Sequence, residues 1–311
     1  MKHDTILLFQ EPERYFFPQM HGIVYAPLRI RNVRLRFWLY LIVYRFPFLC
    51  VPVLFGPWKY KIRTARQVIL FDFGYIPGIE SYIRRINPSC RVFLFYWNMI
   101  TKSSRSYQIF SDPDSIYSTD QRDCKKYGLR YQHIFYFRAA DKGHSQGGEE
   151  YGNRLFFFGL DKGRGTRLLR LKRALEAGGL QCDLSVFSES HNKKYRASIA
   201  EILAKQMLSY EEYCSRLERC GILLDINQTG QTALSMRVME ALFYSKKLIT
   251  SNREIAAYDF YDENNILILD GRMPDPEILR DFIKKPFHPY SGEALYRYSY
   301  EHWKEQFGRY A

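Results

Sequence analysis

The stretch that decides the fold class is residues 154–179, which read RLFFFGLDKGRGTRLLRLKRALEAGG. The apolar run at 154–159 is typical of a buried strand. Leucines then recur with helical spacing at Leu168, Leu169, Leu171 and Leu175. The pair at 178–179 is Gly-Gly, which predicts the end of that helix, and 180–187 predicts a second strand. A strand, a helix and a strand in this order predict a right-handed crossover between two parallel strands.

The same alternation continues toward the C-terminus. Ser209 and Glu212 form a capping-box pattern, which predicts a helix that extends to Cys220. Ser235 is a candidate cap for a further helix that ends near Phe243. The remaining predicted strands are 221–226, 247–250 and 265–269. The C-terminal half is therefore predicted to hold a parallel sheet covered by helices.

The N-terminal half is less regular. Its predicted strands are 5–9, 68–73, 91–96 and 134–137, and its predicted helices are 79–86 and 121–127, the second ended by Gly128. Residues 138–152 are polar and contain three glycines, a composition typical of a domain boundary. We expect two domains, residues 1–145 and residues 146–311.

Composition limits the possible partners. The net charge of +13 favours anions: nucleotide phosphates, acidic lipid headgroups, anionic glycans or nucleic acid. Charge alone does not choose among them, although the sequence contains no recognisable RNA-binding aromatic motif or zinc finger, which disfavours nucleic acid. Six cysteines without a C-x-x-C pattern, together with no recognisable signal peptide, predict reduced thiols and a cytoplasmic location.

Residues 37–55 are strongly apolar, but Arg45, Pro47 and Pro52 argue against a membrane-spanning helix. Four arginines precede this segment: Arg29, Arg31, Arg34 and Arg36. Two interpretations stay open. One is an anchor that lies in the membrane interface, and the other is a buried helix and strand with a basic solvent face.

Two loops carry candidate binding residues. The first, 159–165, follows a predicted strand and contains Gly159, Lys162 and Arg164. A loop that enters a helix presents backbone N–H groups to anions, and the two cations add positive charge, so this loop could hold a diphosphate. A tight basic turn with no ligand is the alternative.

The second loop, 227–234, also joins a predicted strand to a helix. It is rich in amides and hydroxyls, which suit sugar and phosphate oxygens. Its candidate ligands, with those on the following helix, are Gly230, Gln231, Thr232, Arg237 and Glu240. A carboxylate such as that of Glu240 can accept hydrogen bonds from two vicinal ribose hydroxyls. The alternative is a surface glutamate on an ordinarily capped helix.

These residues resemble those of a known family. Several stretches are similar to bacterial glycosyltransferases of the two-domain GT-B fold. They are 230–242, 246–252, Asp259-Phe260-Tyr261, Asn264-Asn265-Ile266, 158–164 and 118–127. The members in question build lipopolysaccharide core or capsule. The resemblance implies an α/β fold with two Rossmann-like domains, whose parallel sheets face a central cleft.

The resemblance also implies roles for single residues. It implies that Glu240 binds the ribose of a nucleotide-sugar donor and that Lys162, Arg164 and the Gly230 region hold its diphosphate. Many members carry an earlier glutamate eight positions before the ribose-binding one, and Thr232 occupies that position here. In GT-B enzymes cationic side chains and helix dipoles replace a divalent metal, so no metal or other cofactor is expected. Residues 112–114, Asp-Pro-Asp, have the spacing of a metal-binding motif, but the proline favours a turn.

Catalysis with inversion would need a base in the N-terminal half. His21 and Asp72 are the candidates, and a loop histidine and a capping aspartate are their structural alternatives. We therefore expect a sugar transferase that acts on a lipopolysaccharide or lipid-linked glycan acceptor, in the cytoplasm or at the inner face of the cytoplasmic membrane. The alternative is a decayed, non-catalytic transferase that binds a nucleotide-sugar or glycan, which Thr232 supports.

Overall fold

A computed structural model gives the structure of the chain. It describes residues 4–30, 32–46, 49, 51–101, 104, 106–137, 152–228, 230–271 and 273–309. The chain divides into two compact units. Unit 1 comprises Met1–Phe137 and Tyr298–Ala311, and unit 2 comprises Arg138–Arg297.

Unit 1 is built on a six-stranded sheet in which every pair of neighbours is parallel. Its strands are β1 (Thr5–Leu8), β2 (Val24–Tyr25), β3 (Gln67–Phe71), β4 (Arg91–Tyr96), β5 (Ile116–Ser118) and β6 (Arg130–Tyr131). Its helices are α1 (Val33–Arg45), α2 (Ile79–Ile86), α3 (Ser106–Ile109) and α4 (Gln121–Tyr127), with α11 (Tyr300–Gln306) from the C-terminus. The strand order is β2-β1-β3-β4-β5-β6. Strand β2 is added on one side of β1 and strand β3 on the other, so a topological switch point lies between β1 and β3.

Unit 2 repeats this design with five parallel strands. Its strands are β7 (Arg154–Leu160), β8 (Gln181–Phe187), β9 (Ile222–Asp225), β10 (Lys247–Thr250) and β11 (Ile266–Ile268). Its helices are α5 (Gly165–Ala177), α6 (Lys193–Ser198), α7 (Tyr210–Glu218), α8 (Met236–Phe243), α9 (Pro276–Lys284) and α10 (Gly292–Arg297). The order β11-β10-β9-β7-β8 puts β7 beside β9 and creates a topological switch point between them.

Two parallel sheets with intervening helices confirm the α/β class. The decisive stretch folds as predicted into β7, α5 and β8, and the core of unit 2 contains the leucines of α5. The capping box at Ser209 and Glu212 is present, with both reciprocal hydrogen bonds. The predicted strand at 134–137 is wrong, because only one isolated bridge forms there, between Tyr136 and Ser299.

The C-terminal segment departs from the predicted division. The boundary expected at 145/146 lies outside the described residues, but 298–309 belong to unit 1 rather than to the second domain. The physical reason is aromatic packing. Trp303 of α11 is fully buried, with its ring centroid 4.3 Å from that of Phe135 and 5.0 Å from that of Phe95. Much of the chain's aromatic content therefore stabilises this core.

Helix α1 answers part of the question about the basic apolar segment. Asn32 caps it, and its side chain accepts a hydrogen bond from the backbone N–H of Leu35. Arg36 is buried and forms an ion pair with Glu13 at 2.5 Å, so it does not belong to an exposed basic cluster. Arg31 lies outside the described residues. Within the described part of the chain, no helix combines the length and apolar character needed to cross a bilayer.

Candidate functional site

The switch point of unit 2 brings the two candidate loops together. Strand β7 ends at Leu160 and strand β9 at Asp225, and the two strands are neighbours in the sheet. The loop after β7 leads into α5 and the loop after β9 leads into α8, and these two helices are not consecutive in the chain. Ligands of open α/β sheets bind in the crevice that such diverging loops leave at the carboxyl edge.

Arg164 bridges the ends of the two strands. It precedes α5, and its guanidinium donates to the backbone carbonyls of Ile226, beyond β9, and of Leu160, at the end of β7. Its Cζ lies 5.7 Å from the ring centroid of Phe157. Burial and the positive charge of Arg237 lower the pKa of Arg164 to about 10, against the opposing charges of Asp225 and Asp161.

Arg237 approaches the same point from the first turn of α8. Its Nη2 donates to the carbonyl of Phe158 at 2.6 Å, and its Cζ lies 4.4 Å from the ring centroid of Phe157. Gly159 makes this approach possible, because a Cβ on that residue would lie 2.5 Å from Nη2 of Arg237. The two guanidinium groups thus share one aromatic ring at the carboxyl edge of the sheet.

A third cation joins them. Lys162 follows β7 and its side chain is exposed. Partial desolvation lowers its pKa, and the neighbouring charges of Arg164 and Arg237 lower it further. The Nε atoms of both arginines are buried and have no hydrogen-bond partner among the described residues. Within the described ranges, none of the three cations forms an ion pair. We call these three residues the cation cluster.

The nearby carboxylates hold the loops in place. Asp161 accepts hydrogen bonds from the backbone N–H of Gly165 at 2.7 Å, the hydroxyl of Ser188 at 2.9 Å and the hydroxyl of Tyr195 at 2.8 Å. Asp225 accepts from Ser235 at 2.7 Å and from Thr250 at 3.0 Å. Both carboxylates are therefore stabilised by neutral donors.

The first loop differs from the prediction in one respect. Free backbone N–H groups were expected where this loop enters α5, but Asp161 accepts from the N–H of Gly165 at the first position of the helix. Lys162 has a φ of 47° and Gly163 a φ of 78°, so the loop turns through two left-handed residues. The side-chain cations, rather than the N–H of Gly165, are available to an anion.

The second loop is held by amide side chains. Asn227 Nδ2 donates to the carbonyl of Gln231 at 3.0 Å, and Asn252 Nδ2 donates to the carbonyl of Thr232 at 3.1 Å. Gly230 has a φ of 84°, which favours glycine. These contacts keep the predicted ligands Gly230, Gln231 and Thr232 at the edge where β9 and β10 end.

Glu240 lies deeper than predicted. Its side chain is buried, the residue being 4% exposed, and its carboxylate accepts a hydrogen bond from the hydroxyl of Tyr213 at 2.5 Å. Burial raises its pKa to about 7, and the charge of Arg237 opposes that shift. The predicted ribose contact needs a carboxylate that faces solvent. Tyr213 of α7 covers this one with its hydroxyl, and its ring centroid lies 5.2 Å from that of Phe156.

A cavity of about 350 Å³ lies beside the cation cluster, at the carboxyl ends of β7 and β8. Lys162, Gly163, Ser188, Glu189 and Tyr195 contribute to its lining. Sequence reasoning missed this cavity, because the residues that line its far side follow β8 in a segment without a recognisable motif. The polarity of Ser188-Glu189-Ser190 directly after an apolar strand is the one feature that could have indicated it.

The catalytic candidates belong to unit 1. His21 is exposed in the turn before β2, and Asp72 is the first residue after β3, at the β1/β3 switch point of that sheet. The backbone N–H of Trp97 donates to Asp72 Oδ1 at 3.2 Å, and burial raises the pKa of Asp72 to about 7. Within the part of the chain that the structure describes, no hydrogen bond joins His21 to Asp72.

The possible metal motif is a turn, as predicted. The carboxylate of Asp112 accepts from the backbone N–H of Asp114 at 3.1 Å and from the hydroxyl of Ser115 at 2.5 Å. Among the described residues, no three His, Cys, Asp or Glu side chains are grouped as ligands of a metal ion.

Comparison with known proteins gives a match by structure. No protein-family model matches the sequence, and no curated protein sequence matches it significantly. The fold is similar to that of a solved structure, the crystal structure of AviGT4, a glycosyltransferase involved in avilamycin A biosynthesis. The TM-score is 0.53 at 12% sequence identity, and the match covers 96% of this chain and 93% of that one. The similarity shows a shared fold along almost the whole length of both chains.

Proposed function

We propose that this protein is a glycosyltransferase that takes a sugar from a nucleotide-sugar donor. The observation that carries the proposal is the cation cluster at the β7/β9 switch point. Lys162, Arg164 and Arg237 converge there without an ionic partner among the described residues. Nearby carboxylates of the described chain act on the two arginines at a distance but form no salt bridge with them, and a diphosphate would supply direct ionic contacts.

The chemistry of glycosyl transfer makes such a site useful. The sugar leaves its donor as an oxocarbenium-like centre, while negative charge develops on the departing diphosphate. Fixed cations near the developing charge stabilise the transition state more than the ground state. Arg164 and Arg237 are fixed by carbonyl hydrogen bonds and by the Phe157 ring, so little reorganisation is needed when the charge develops.

The cavity beside the cluster is the proposed location of another part of the donor. Its volume of about 350 Å³ and its hydroxyl and carboxylate lining suit a nucleoside or a hexose. Because Glu240 is covered by Tyr213, we assign it a positioning role behind Arg237 instead of the ribose contact implied by the resemblance. Gly230, Gln231 and Thr232, in the loop after β9, remain proposed donor contacts.

We further propose a GT-B arrangement, in which unit 1 receives the acceptor across a cleft. Asp72 is the preferred base for an inverting reaction, because a carboxyl group with a pKa of about 7 can accept a proton at neutral pH. His21 is the second candidate. The resemblance to the bacterial family supports three finer proposals. The transfer is metal-independent and moves a hexosyl or deoxyhexosyl group, it takes place in the bacterial cytoplasm, and the acceptor is a lipopolysaccharide core or another lipid-linked glycan.

A second candidate function is a nucleotide-sugar or glycan binding protein without turnover. Two observations favour it: Thr232 replaces the glutamate that many family members use for the donor sugar, and Glu240 is buried. The cation cluster serves either function, so binding alone does not separate them.

The test combines binding and turnover. Thermal shift with UDP, GDP, ADP and CMP, each with and without an attached sugar, identifies the nucleotide, since a ligand specific for the folded state raises the melting temperature. The preferred nucleotide-sugar, radiolabelled in the sugar, is then incubated with the chain and a lipopolysaccharide core acceptor. Transfer of label supports the transferase, and binding without transfer or hydrolysis supports the second candidate. No stabilisation by any nucleotide or nucleotide-sugar contradicts the transferase and leaves glycan binding alone.

A further inference from the structure

An unusual surface lies in unit 1, on helix α1 and the segment that follows it. Helix α1 buries Arg36 and Val43 and packs Tyr40 partly against the core, at the spacing of one helical face. The opposite face is apolar too. Its exposed side chains are Leu35, Phe37, Trp38, Leu41 and Ile42. A helix with apolar side chains on both faces requires a partner for the outer one.

The patch continues beyond the helix. Phe46, Leu49, Val51 and Val53 are also exposed, the last by 60%. Trp38 is 63% exposed and Leu35 60%, so these side chains protrude into solvent. We call the exposed apolar side chains of residues 35–53 the α1 patch. They belong to helix α1 and to the segment after it.

The charged residues of the sequence segment that carries the α1 patch have one sign, and Glu13, just before that segment, pairs with the buried Arg36. Between Glu13 and Asp72 the sequence contains no acidic residue. The basic residues in this interval are Arg14, Arg29, Arg31, Arg34, Arg36, Arg45, Lys59, Lys61, Arg63 and Arg66. Arg34 and Arg45 flank the helical part of the patch and are exposed, as is Arg29. A second copy of the chain would bring like charges together in a symmetric contact, whereas an anionic surface is complementary.

We propose that the α1 patch binds the surface of a bilayer that contains anionic phospholipids. Helix α1 has 13 residues, so it is about 20 Å long, too short to cross the roughly 30 Å hydrocarbon core, and it would lie in the interfacial plane. Trp38 and Phe37 would enter the headgroup region, where aromatic rings are favoured, while Arg34 and Arg45 meet lipid phosphates. The proposal is independent of the transferase activity, because it concerns binding without donor or acceptor.

The test is flotation of the full chain with vesicles of phosphatidylcholine alone and with vesicles that contain about 30% phosphatidylglycerol. We expect binding to the anionic vesicles and its release by salt. Trp38→Ser with Ile42→Ser should weaken binding about tenfold or more. Arg34→Ser with Arg45→Ser should weaken it about fivefold per arginine. Ile278→Ser with Tyr296→Ser is the matched control, since both are exposed apolar side chains of unit 2, and it should bind like the wild type.

Several outcomes would overturn the proposal. They are the absence of vesicle binding, equal binding to neutral and anionic vesicles, or equal loss in the control and the Trp38 variant. Sedimentation equilibrium adds a further check. A dimer that Trp38→Ser with Ile42→Ser dissociates would assign the α1 patch to a second copy. The melting temperature of each variant shows that the fold is retained, and the arginine variant keeps the test valid if the apolar one unfolds.

Discussion

Gly159 and Arg237 are in direct contact, and a Cβ on the glycine would lie 2.5 Å from Nη2 of the arginine. The same nitrogen donates to the carbonyl of Phe158 at 2.6 Å. The first turn of α8 is thereby joined to the last residues of β7, across the point where the strand order reverses. The absence of a side chain at position 159 determines where one of the three converging cations can lie.

Gly159→Ala is expected to displace the Arg237 guanidinium. The group that must move is the far end of a flexible side chain, so the stability cost should be small, about 1 kcal/mol or less. Nucleotide affinity should fall about tenfold or more, because a charged hydrogen bond is lost or misplaced. Calorimetric titration measures the affinity. Gly292→Ala is the control, since a Cβ there meets nothing within 4 Å. A Gly159→Ala variant with wild-type nucleotide affinity would show that the position of Arg237 does not matter for nucleotide binding.

Asp161→Ala should lower the free energy of unfolding of unit 2. The carboxylate accepts from Gly165, Ser188 and Tyr195, and its removal leaves three buried or partly buried donors without an acceptor. We expect a loss of about 2–4 kcal/mol in urea unfolding. Asp183→Ala removes an exposed ion pair with Arg216 and should cost less than about 1 kcal/mol. Equal losses in the two variants would show that Asp161 does not hold the loop.

Stability should depend on pH through Glu240. Its folded pKa of about 7 lies above the ordinary value of 4.5, so the folded chain retains a proton that the unfolded chain loses between these pH values. Stability should therefore fall as pH rises from about 4.5 to about 7, by about 3 kcal/mol, and remain lower above that range. Glu240→Gln should remove this part of the fall. The raised pKa of Asp72 also makes stability fall with rising pH. The quantity to measure is therefore the difference in unfolding free energy between the Glu240→Gln variant and the wild type across this pH range.

Asp72→Asn tests the proposed base. The amide cannot accept a proton, so turnover should fall about 100-fold or more while the donor dissociation constant stays unchanged. In the wild type, kcat/KM should rise with pH through about 7 as the carboxyl group ionises. The same experiment with His21→Gln serves as the comparison. An Asp72→Asn enzyme with wild-type turnover would leave His21 as the candidate.

The unit 2 fold could be predicted because its signals are local. The apolar run of β7 and the strand β8 are bounded by glycines or polar residues, and Ser209 and Glu212 satisfy each other within one helical turn. The short strands β2, β5 and β6 could not be predicted, because pairing with distant strands defines them. The return of α11 to unit 1 depends on Trp303 meeting Phe135, a contact between residues far apart in the chain.

The candidate site was predictable in part for the same reason. Glycines and cations between a strand and a helix are visible in sequence, and Arg164 and Arg237 do converge at the switch point. The burial of Glu240 was not visible, since it depends on Tyr213, which lies on α7 and is 27 residues earlier in the chain. The use of the Gly165 N–H by Asp161 likewise arises from the closed turn of the loop.

The most direct test of the cation cluster compares a nucleoside diphosphate with the corresponding monophosphate by calorimetry. In the wild type the diphosphate should bind about tenfold or more tightly, because the second phosphate meets Arg164, Arg237 and Lys162. In Arg237→Ala this preference should shrink toward equality, and in Arg170→Ala, which removes an exposed arginine of α5, it should persist. A preference for the diphosphate that survives in Arg237→Ala at its wild-type size would contradict the proposed site.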